Sequence, residues 1–159
     1  MNKKLYISGF TLIELLVVIA IIGVLSSIVL ASLNNARAKG SDAAIKSDVS
    51  GLRSAAELYF NDNSNSYGSQ AYTANCGGTV TGVFSDAVVQ QYIDDAITKS
   101  GQTASTAAKC YSAATSYVIA VQLKSSSANG WCVDSTGNSR LITWSTFASG
   151  DTDCVTAGS

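Results

Sequence analysis

Hydrophobic residues dominate one continuous stretch near the start of the chain, residues 9–33, in which Glu14 is the single charged residue. At about 1.5 Å per residue, a helix over residues 10–33 would be roughly 36 Å long, enough to cross a hydrocarbon core of about 30 Å. A carboxylate on such a helix costs about 2.5–3.5 kcal/mol on insertion scales. The pattern therefore predicts a membrane-spanning helix in which Glu14 has a specific task.

Beyond this stretch the apolar positions follow a helical period. Residues 34–61 are predicted to form the amphipathic half of the same helix, with one apolar seam at spacings of four and three, formed by Ile45, Val49, Leu52, Ala56 and Tyr59. The Asn, Asp, Ser and Gly residues over 61–68 should end the helix, because they compete for backbone hydrogen bonds or favour turns. The seam is expected to pack against a sheet of the same chain.

Residues 62–159 are predicted to form a globular head. Ser85 is expected to cap a short helix with an apolar stripe that ends near Lys99. The segments on either side of this helix, residues 69–84 and 100–109, are rich in small and polar residues and are expected to be irregular connections.

A sheet is predicted in the last third of the chain. Residues 117–124 alternate between two faces, and short strands follow at 131–134 and 139–144. Because Gly and Asn turns separate these strands, they should form an antiparallel meander, with Trp131 and Trp144 packed on its faces. The predicted fold class is α+β, a long N-terminal α-helix whose amphipathic half packs on a small antiparallel sheet.

A basic leader, residues 1–9, ends in Gly9 and is followed by Phe10-Thr11-Leu12-Ile13-Glu14 and the apolar run. This arrangement resembles that of type IV prepilins and pseudopilins. An ordinary secretory signal has its cleavage site after the apolar region, whereas the candidate site here precedes it. The resemblance implies that a prepilin peptidase cuts between Gly9 and Phe10 and N-methylates the new amine. It also implies that Glu14 neutralises the N-terminal amine of a neighbouring subunit during filament assembly.

The resemblance further implies a location and partners. Lys3 and Lys4 should remain cytoplasmic, which places the head outside. The chain would be a single-pass membrane protein and later part of a surface filament. Its partners would be related pilin subunits through their N-terminal helices, the peptidase, an assembly platform in the membrane, and lipid before assembly. Many family members have a proline late in the apolar segment; the chain has none, so a continuous helix is expected, with Gly23 as the place for any break.

The expected function is that of a structural subunit of a type IV pilus, used for motility, adhesion or DNA uptake. Two alternatives stay open: a pseudopilin of a type II secretion system, and a membrane-anchored exterior binding domain that does not assemble. The absence of histidine excludes the usual general base and the Ser-His-Asp arrangement, so neither an enzyme nor a cofactor is expected. The net charge of −1 comes with no basic stripe, and direct nucleic-acid binding is not expected.

Four cysteines, Cys76, Cys110, Cys132 and Cys154, all follow the apolar stretch, as an oxidising exterior favours. They permit three pairings, among which the sequence alone does not choose. The sequential pairs Cys76–Cys110 and Cys132–Cys154 are favoured, and the second would resemble the C-terminal disulfide loop of many pilins. A zinc site is disfavoured because the chain has no CxxC pair and no histidine.

No metal site is expected, although a calcium site is kept as a minor alternative. Some members of the family bind calcium in the C-terminal region, and Asp134, Asp151 and Asp153 are the carboxylates available there. Three carboxylates with nearby carbonyl groups could supply the six or more oxygens that calcium requires.

Overall fold

The structure, a computed structural model, describes residues 10–157. The chain divides between Arg37 and Ala38 into two compact units. Helix α1, Leu12–Asp62, is continuous through Gly23, as expected from the absence of proline. The predicted leader, residues 1–9, lies outside the described residues, so its boundary stays a prediction.

The head contains a five-stranded antiparallel sheet in which neighbours in the sheet are also neighbours in the chain. The elements that follow α1 are β1 (Gln70–Thr73), a 3₁₀ turn (Gly82–Ser85), α2 (Ala87–Ser100), α3 (Ala104–Ala107), β2 (Ala108–Ala113), β3 (Ser116–Gln122), β4 (Asn129–Asp134) and β5 (Ser139–Thr143). The prediction of an α+β fold with a long helix on a small antiparallel sheet is confirmed, and β3 to β5 are the predicted meander.

Two strands and two short helical turns lie in segments that were predicted to be irregular, so those predictions were wrong. Strand β1 and most of the 3₁₀ turn fall within residues 69–84, while α3 and the start of β2 fall within residues 100–109. Strand β2 consists of Ala, Lys, Cys, Tyr and Ser, most of which have no strong strand preference. It forms because it pairs along its whole length with β3, from Ala108 opposite Val121 to Ala113 opposite Ser116.

The start of α2 also differs from the prediction by one residue. Asp86 rather than Ser85 is the N-cap, and its Oδ1 accepts the backbone N–H groups of Val88 and Val89 at 2.9 and 3.1 Å. Ser85 instead closes the 3₁₀ turn by donating to the carbonyl of Gly82 at 2.7 Å. Because this turn buries Val83 and Phe84, α2 starts after it and Asp86 takes the capping position.

The main core lies between α1, α2 and one face of the sheet. Ile45, Val49, Leu52 and Ala56 of the predicted seam are buried, together with Ala55, and Tyr59 is partly buried against them. The sheet contributes residues from β3, namely Tyr117, Ile119 and Val121. Gly51 allows α2 to approach closely, because a Cβ there would lie 2.8 Å from a ring carbon of Tyr92.

A second core, absent from the sequence predictions, covers the other face of the sheet. Val118 and Ala120 of β3 and Ile142 of β5 pack there against Phe147 and Ala157 of the C-terminal tail. Strand β3 is therefore buried on both faces rather than alternating between core and solvent. Trp131 lies partly buried at the main core and Trp144 at this second core, which agrees with the predicted packing role.

Polar side chains fix the second half of α1 to its neighbours. Asp42 accepts the backbone N–H groups of Lys124 and Ser125 at 2.7 and 3.1 Å, which holds the loop after β3. Asp48 forms an ion pair with Lys99 of α2. On another side of the helix, Arg53 donates to the carbonyl of Asn138 before β5.

The disulfides in the structure are Cys76–Cys110 and Cys132–Cys154, the pairs favoured from the sequence. Non-reducing peptide mapping of the purified protein should give two linked tryptic peptide pairs. The four cysteines fall on four different tryptic peptides because Lys99, Lys109, Lys124 and Arg140 separate them. Each closed loop should stabilise the head by about 3–4 kcal/mol on the chain-entropy model. A linkage of Cys76 to Cys132 or Cys154 would contradict the pairing.

Candidate assembly site

Thr11 and Glu14 form a reciprocal cap at the start of α1. The backbone N–H and the hydroxyl of Thr11 both donate to Oε2 of Glu14 at 2.8 Å. In return the backbone N–H of Glu14 donates to the Thr11 hydroxyl oxygen at 3.2 Å. This is the capping-box arrangement, in which an N-cap Thr and a Glu three residues later satisfy otherwise unpaired N–H groups. The carboxylate also lies at the positive end of the helix dipole, which favours it.

The cap uses one of the two carboxylate oxygens of Glu14. Within residues 10–157 no donor is hydrogen-bonded to Oε1. A carboxylate can accept up to four hydrogen bonds, so the side chain can hold its own helix start and accept an ammonium group at the same time. Phe10, which would carry the new amine after cleavage, precedes the cap directly and is 86% exposed.

The helix surface that follows is apolar and uncovered in the single chain. The large apolar side chains from Leu12 to Leu33 are all exposed. Within the described residues, α1 is the one helix long and apolar enough to cross a membrane. Such a surface is stable in lipid or against other apolar helices, because exposing it to water is costly.

The three carboxylates considered for calcium take other partners. Asp134 is fully buried and accepts hydrogen bonds from Thr136, Asn138 and Cys154. Asp151 accepts the N–H of Ala148, and Asp153 caps the turn that follows it. Among residues 10–157 there is no group of three or more acidic, cysteine or histidine side chains that could hold a metal ion.

The comparison with known families concerns the segment around this cap. The family described as the prokaryotic N-terminal methylation motif matches residues 5–30. The match includes Phe10, the capping pair and most of the exposed apolar surface of α1. The N-terminal segment of the chain is therefore similar to that of type IV pilin-like proteins. Pilin and pseudopilin families are structural and non-enzymatic.

One relative of this chain is the type II secretion system core protein G of Klebsiella michiganensis, which is 43% identical over 56 residues. The aligned part is 35% of this chain and 39% of that relative, so the chain matches well under half of the relative's length. No solved structure matches the chain.

Two features of the chain were not recognised from the sequence. The spacing T-x-x-E before an apolar run indicates a capping box formed by Thr11 and Glu14. Glu14 was instead interpreted only through its charge. The buried Asp134 begins the run Asp-Ser-Thr-Gly-Asn, whose Asp and Gly signal a turn in which the carboxylate binds nearby N–H groups. Gly9, the other residue of the predicted processing site, lies outside the described residues.

Proposed function

We propose that this protein is a structural subunit of a type IV pilus, cut by a prepilin peptidase after Gly9, held in the membrane by residues 10–33, and polymerised into a surface filament. The observation that carries the proposal is the uncovered apolar surface of α1 with a charged cap at its start. An anchor needs the apolar surface alone. A subunit that leaves the membrane also needs partners for that surface and a counter-charge for its amine.

Packing against neighbouring copies would supply both the partners for the apolar surface and the counter-charge for the amine. Apolar side chains on α1 of neighbouring subunits would cover one another as lipid is left behind, which retains the hydrophobic stabilisation. The methylated amine of Phe10 on an entering subunit would meet Oε1 of Glu14 on a subunit already in place. A buried ion pair adds little net stability, but leaving one partner unpaired costs about 3–5 kcal/mol, so the pair selects the correct register.

The membrane precursor and its exterior head follow from the same sequence features. Lys3 and Lys4 favour a cytoplasmic leader, and the two disulfides of the head suit an oxidising exterior. The assembly platform in the membrane and the peptidase are the further partners of this proposal.

A pseudopilin of a type II secretion system is the second candidate function, and the resemblance to core protein G favours it specifically. The N-terminal chemistry is the same in both cases. The two differ in abundance and place: a major pilin forms long filaments that can be sheared from the cell surface. Electron microscopy of sheared material, with N-terminal sequencing of its main component, separates them.

Processing of the leader tests the proposal against a plain anchored binding domain. Mass spectrometry of the membrane or filament fraction should find a mature chain that begins at methylated Phe10. A Gly9→Val variant should retain Met1 and fail to enter filaments, since the bulkier residue obstructs the peptidase at the cut. An intact Met1 terminus on the unmodified protein would contradict both the pilin and the pseudopilin function.

A further inference from the structure

An acidic groove lies between α1 and α2 on the head. It consists of two adjoining pockets of about 220 and 150 Å³ that share Val88. The large apolar side chains of Leu58 and Val88 are 66% and 54% exposed there. We call this surface the α1–α2 groove.

The charges of the α1–α2 groove all have one sign. Asp62 and Asp86 line the first pocket and Asp95 lines the second, and no lysine or arginine lines either pocket. Asp86 is occupied by the cap of α2. Within the described residues, neither Asp62 nor Asp95 takes part in an ion pair. The groove thus presents apolar side chains together with unpaired carboxylates.

A basic and apolar surface lies beside β5, at the edge of the sheet. Lys46 places its Nζ 4.8 Å from the centre of the Trp131 ring. Leu141 lies opposite Trp131 in the strand register and is 49% exposed. Arg53 reaches the same edge and binds the carbonyl of Asn138. Neither cation is ion-paired within residues 10–157. We call this surface, formed by Lys46, Arg53, Trp131 and Leu141, the β5 flank.

The two surfaces lie on opposite sides of α1. With about 100° per residue, Lys46 and Arg53 share one side of the helix, while Leu58 and Asp62 lie about 120° to 180° around the helix from them. The ion pair of Asp48 with Lys99 and the contact of Gly51 with Tyr92 confirm that α2 occupies that other side. Two complementary surfaces that face opposite ways give a head-to-tail contact, which builds an open filament when the rotation between copies does not close into a ring.

We propose that the β5 flank of one subunit docks into the α1–α2 groove of the next copy. The inference rests on the proposed function, because it assigns the head contact within the filament. Leu141 would meet Leu58 and Val88, while Lys46 and Arg53 would face Asp62 and Asp95. The apolar contacts would supply the buried area of the interface. The charges would orient one subunit against the next, since complementary potentials set register more than affinity.

Zero-length carbodiimide cross-linking of purified filaments tests the contact in the unmodified protein. Peptide mass spectrometry should find Lys46 joined to Asp62 or Asp95. Such a link between Lys46 and Asp62 has to join two subunits, because the two residues lie about 24 Å apart along one helix. Filaments in which neither link forms would overturn the docking proposal while leaving the proposed function in place. Absence of filaments from the unmodified protein would overturn both.

Charge reversal gives a second measurement. Asp62→Lys with Asp95→Lys should reduce the yield of sheared filaments about tenfold, because like charges would then meet across the contact. Adding Lys46→Glu to the same chain should recover much of that yield. Asp94→Lys is the matched control, since Asp94 is exposed on α2 but does not line the groove. Equal yields from the groove variant and the Asp94 variant, with both heads resistant to protease, would contradict the proposal.

Discussion

Glu14→Gln is expected to abolish filament assembly while the protein continues to enter the membrane. Glutamine at this position retains an oxygen that can accept the Thr11 N–H, so the start of α1 should stay capped. The variant loses the charge alone. An entering amine would then be buried in apolar surroundings without a counter-ion, which costs about 3–5 kcal/mol for each subunit added. Immunoblots of the membrane fraction and electron microscopy of sheared material measure the two outcomes separately.

Two further variants separate the charge from the cap. Thr11→Ala removes the hydroxyl contact, keeps the carboxylate and costs the helix start about 0.5–2 kcal/mol. It should assemble, although with a lower yield. Ser27→Ala removes another hydroxyl from the same helix, one that bonds the carbonyl of Val24, and should assemble normally. Normal filaments from Glu14→Gln would refute the proposed role of the charge.

The parts of the fold that could be predicted are those where a local pattern and the tertiary environment agree. The apolar residues of the seam on α1 recur at spacings of three and four because one side of the helix is buried. The burial of Ile45, Val49 and Leu52 could therefore be predicted from the sequence. Strands β3 to β5 carry apolar residues between Gly and Asn turns, which are signals within a few residues of each other. The N-terminal motif could be recognised from the sequence for the same reason, because its residues are consecutive.

The parts that could not be predicted depend on residues far apart in the chain. Strand β2 has little preference of its own and is held by the ladder to β3. Phe147 is an isolated aromatic residue in a polar tail, and nothing near it in sequence indicates that it covers the sheet. The groove and the β5 flank also require the placement of α2 and β5 around α1. Sequence periodicity reports which side of a helix is buried, but not which element buries it.

Asp134→Asn is expected to lower the free energy of unfolding of the head by about 3 kcal/mol. Both oxygens of this buried carboxylate are used: they accept five hydrogen bonds, two from Thr136, two from Asn138 and one from the backbone of Cys154, at 2.7 to 3.0 Å. They join the turn before β5 to the tail that covers the second core. Asparagine would point an amide donor at some of those donors.

Urea unfolding of the full chain in detergent, followed by near-ultraviolet circular dichroism of the tryptophans, measures this loss. Asp151→Asn is the matched control. Asp151 is half-buried and accepts one backbone N–H, from Ala148, so the loss of stability on its substitution should stay below about 1 kcal/mol. Equal losses from the two variants would contradict the role given to Asp134.

The pH dependence of that difference gives an independent test of the same hydrogen bonds. Burial alone would raise the pKa of Asp134, but hydrogen bonds from Cys154, Thr136 and Asn138 outweigh it and hold the pKa below its usual value. A carboxyl group whose pKa is lower in the folded state stabilises the fold above its unfolded pKa of about 4, and this contribution is lost as the pH falls through the folded value.

Asparagine does not titrate, so the stability advantage of the unmodified protein over Asp134→Asn should be constant at neutral pH and shrink below about pH 4. The pKa of Asp153 is also lowered, mainly by the backbone N–H of Thr156. The charge of Asp134 opposes that shift as the smallest of its causes, so most of the effect of Asp153 cancels in the comparison. A difference that stayed constant down to pH 2 would show that shape, not charge, explains the loss.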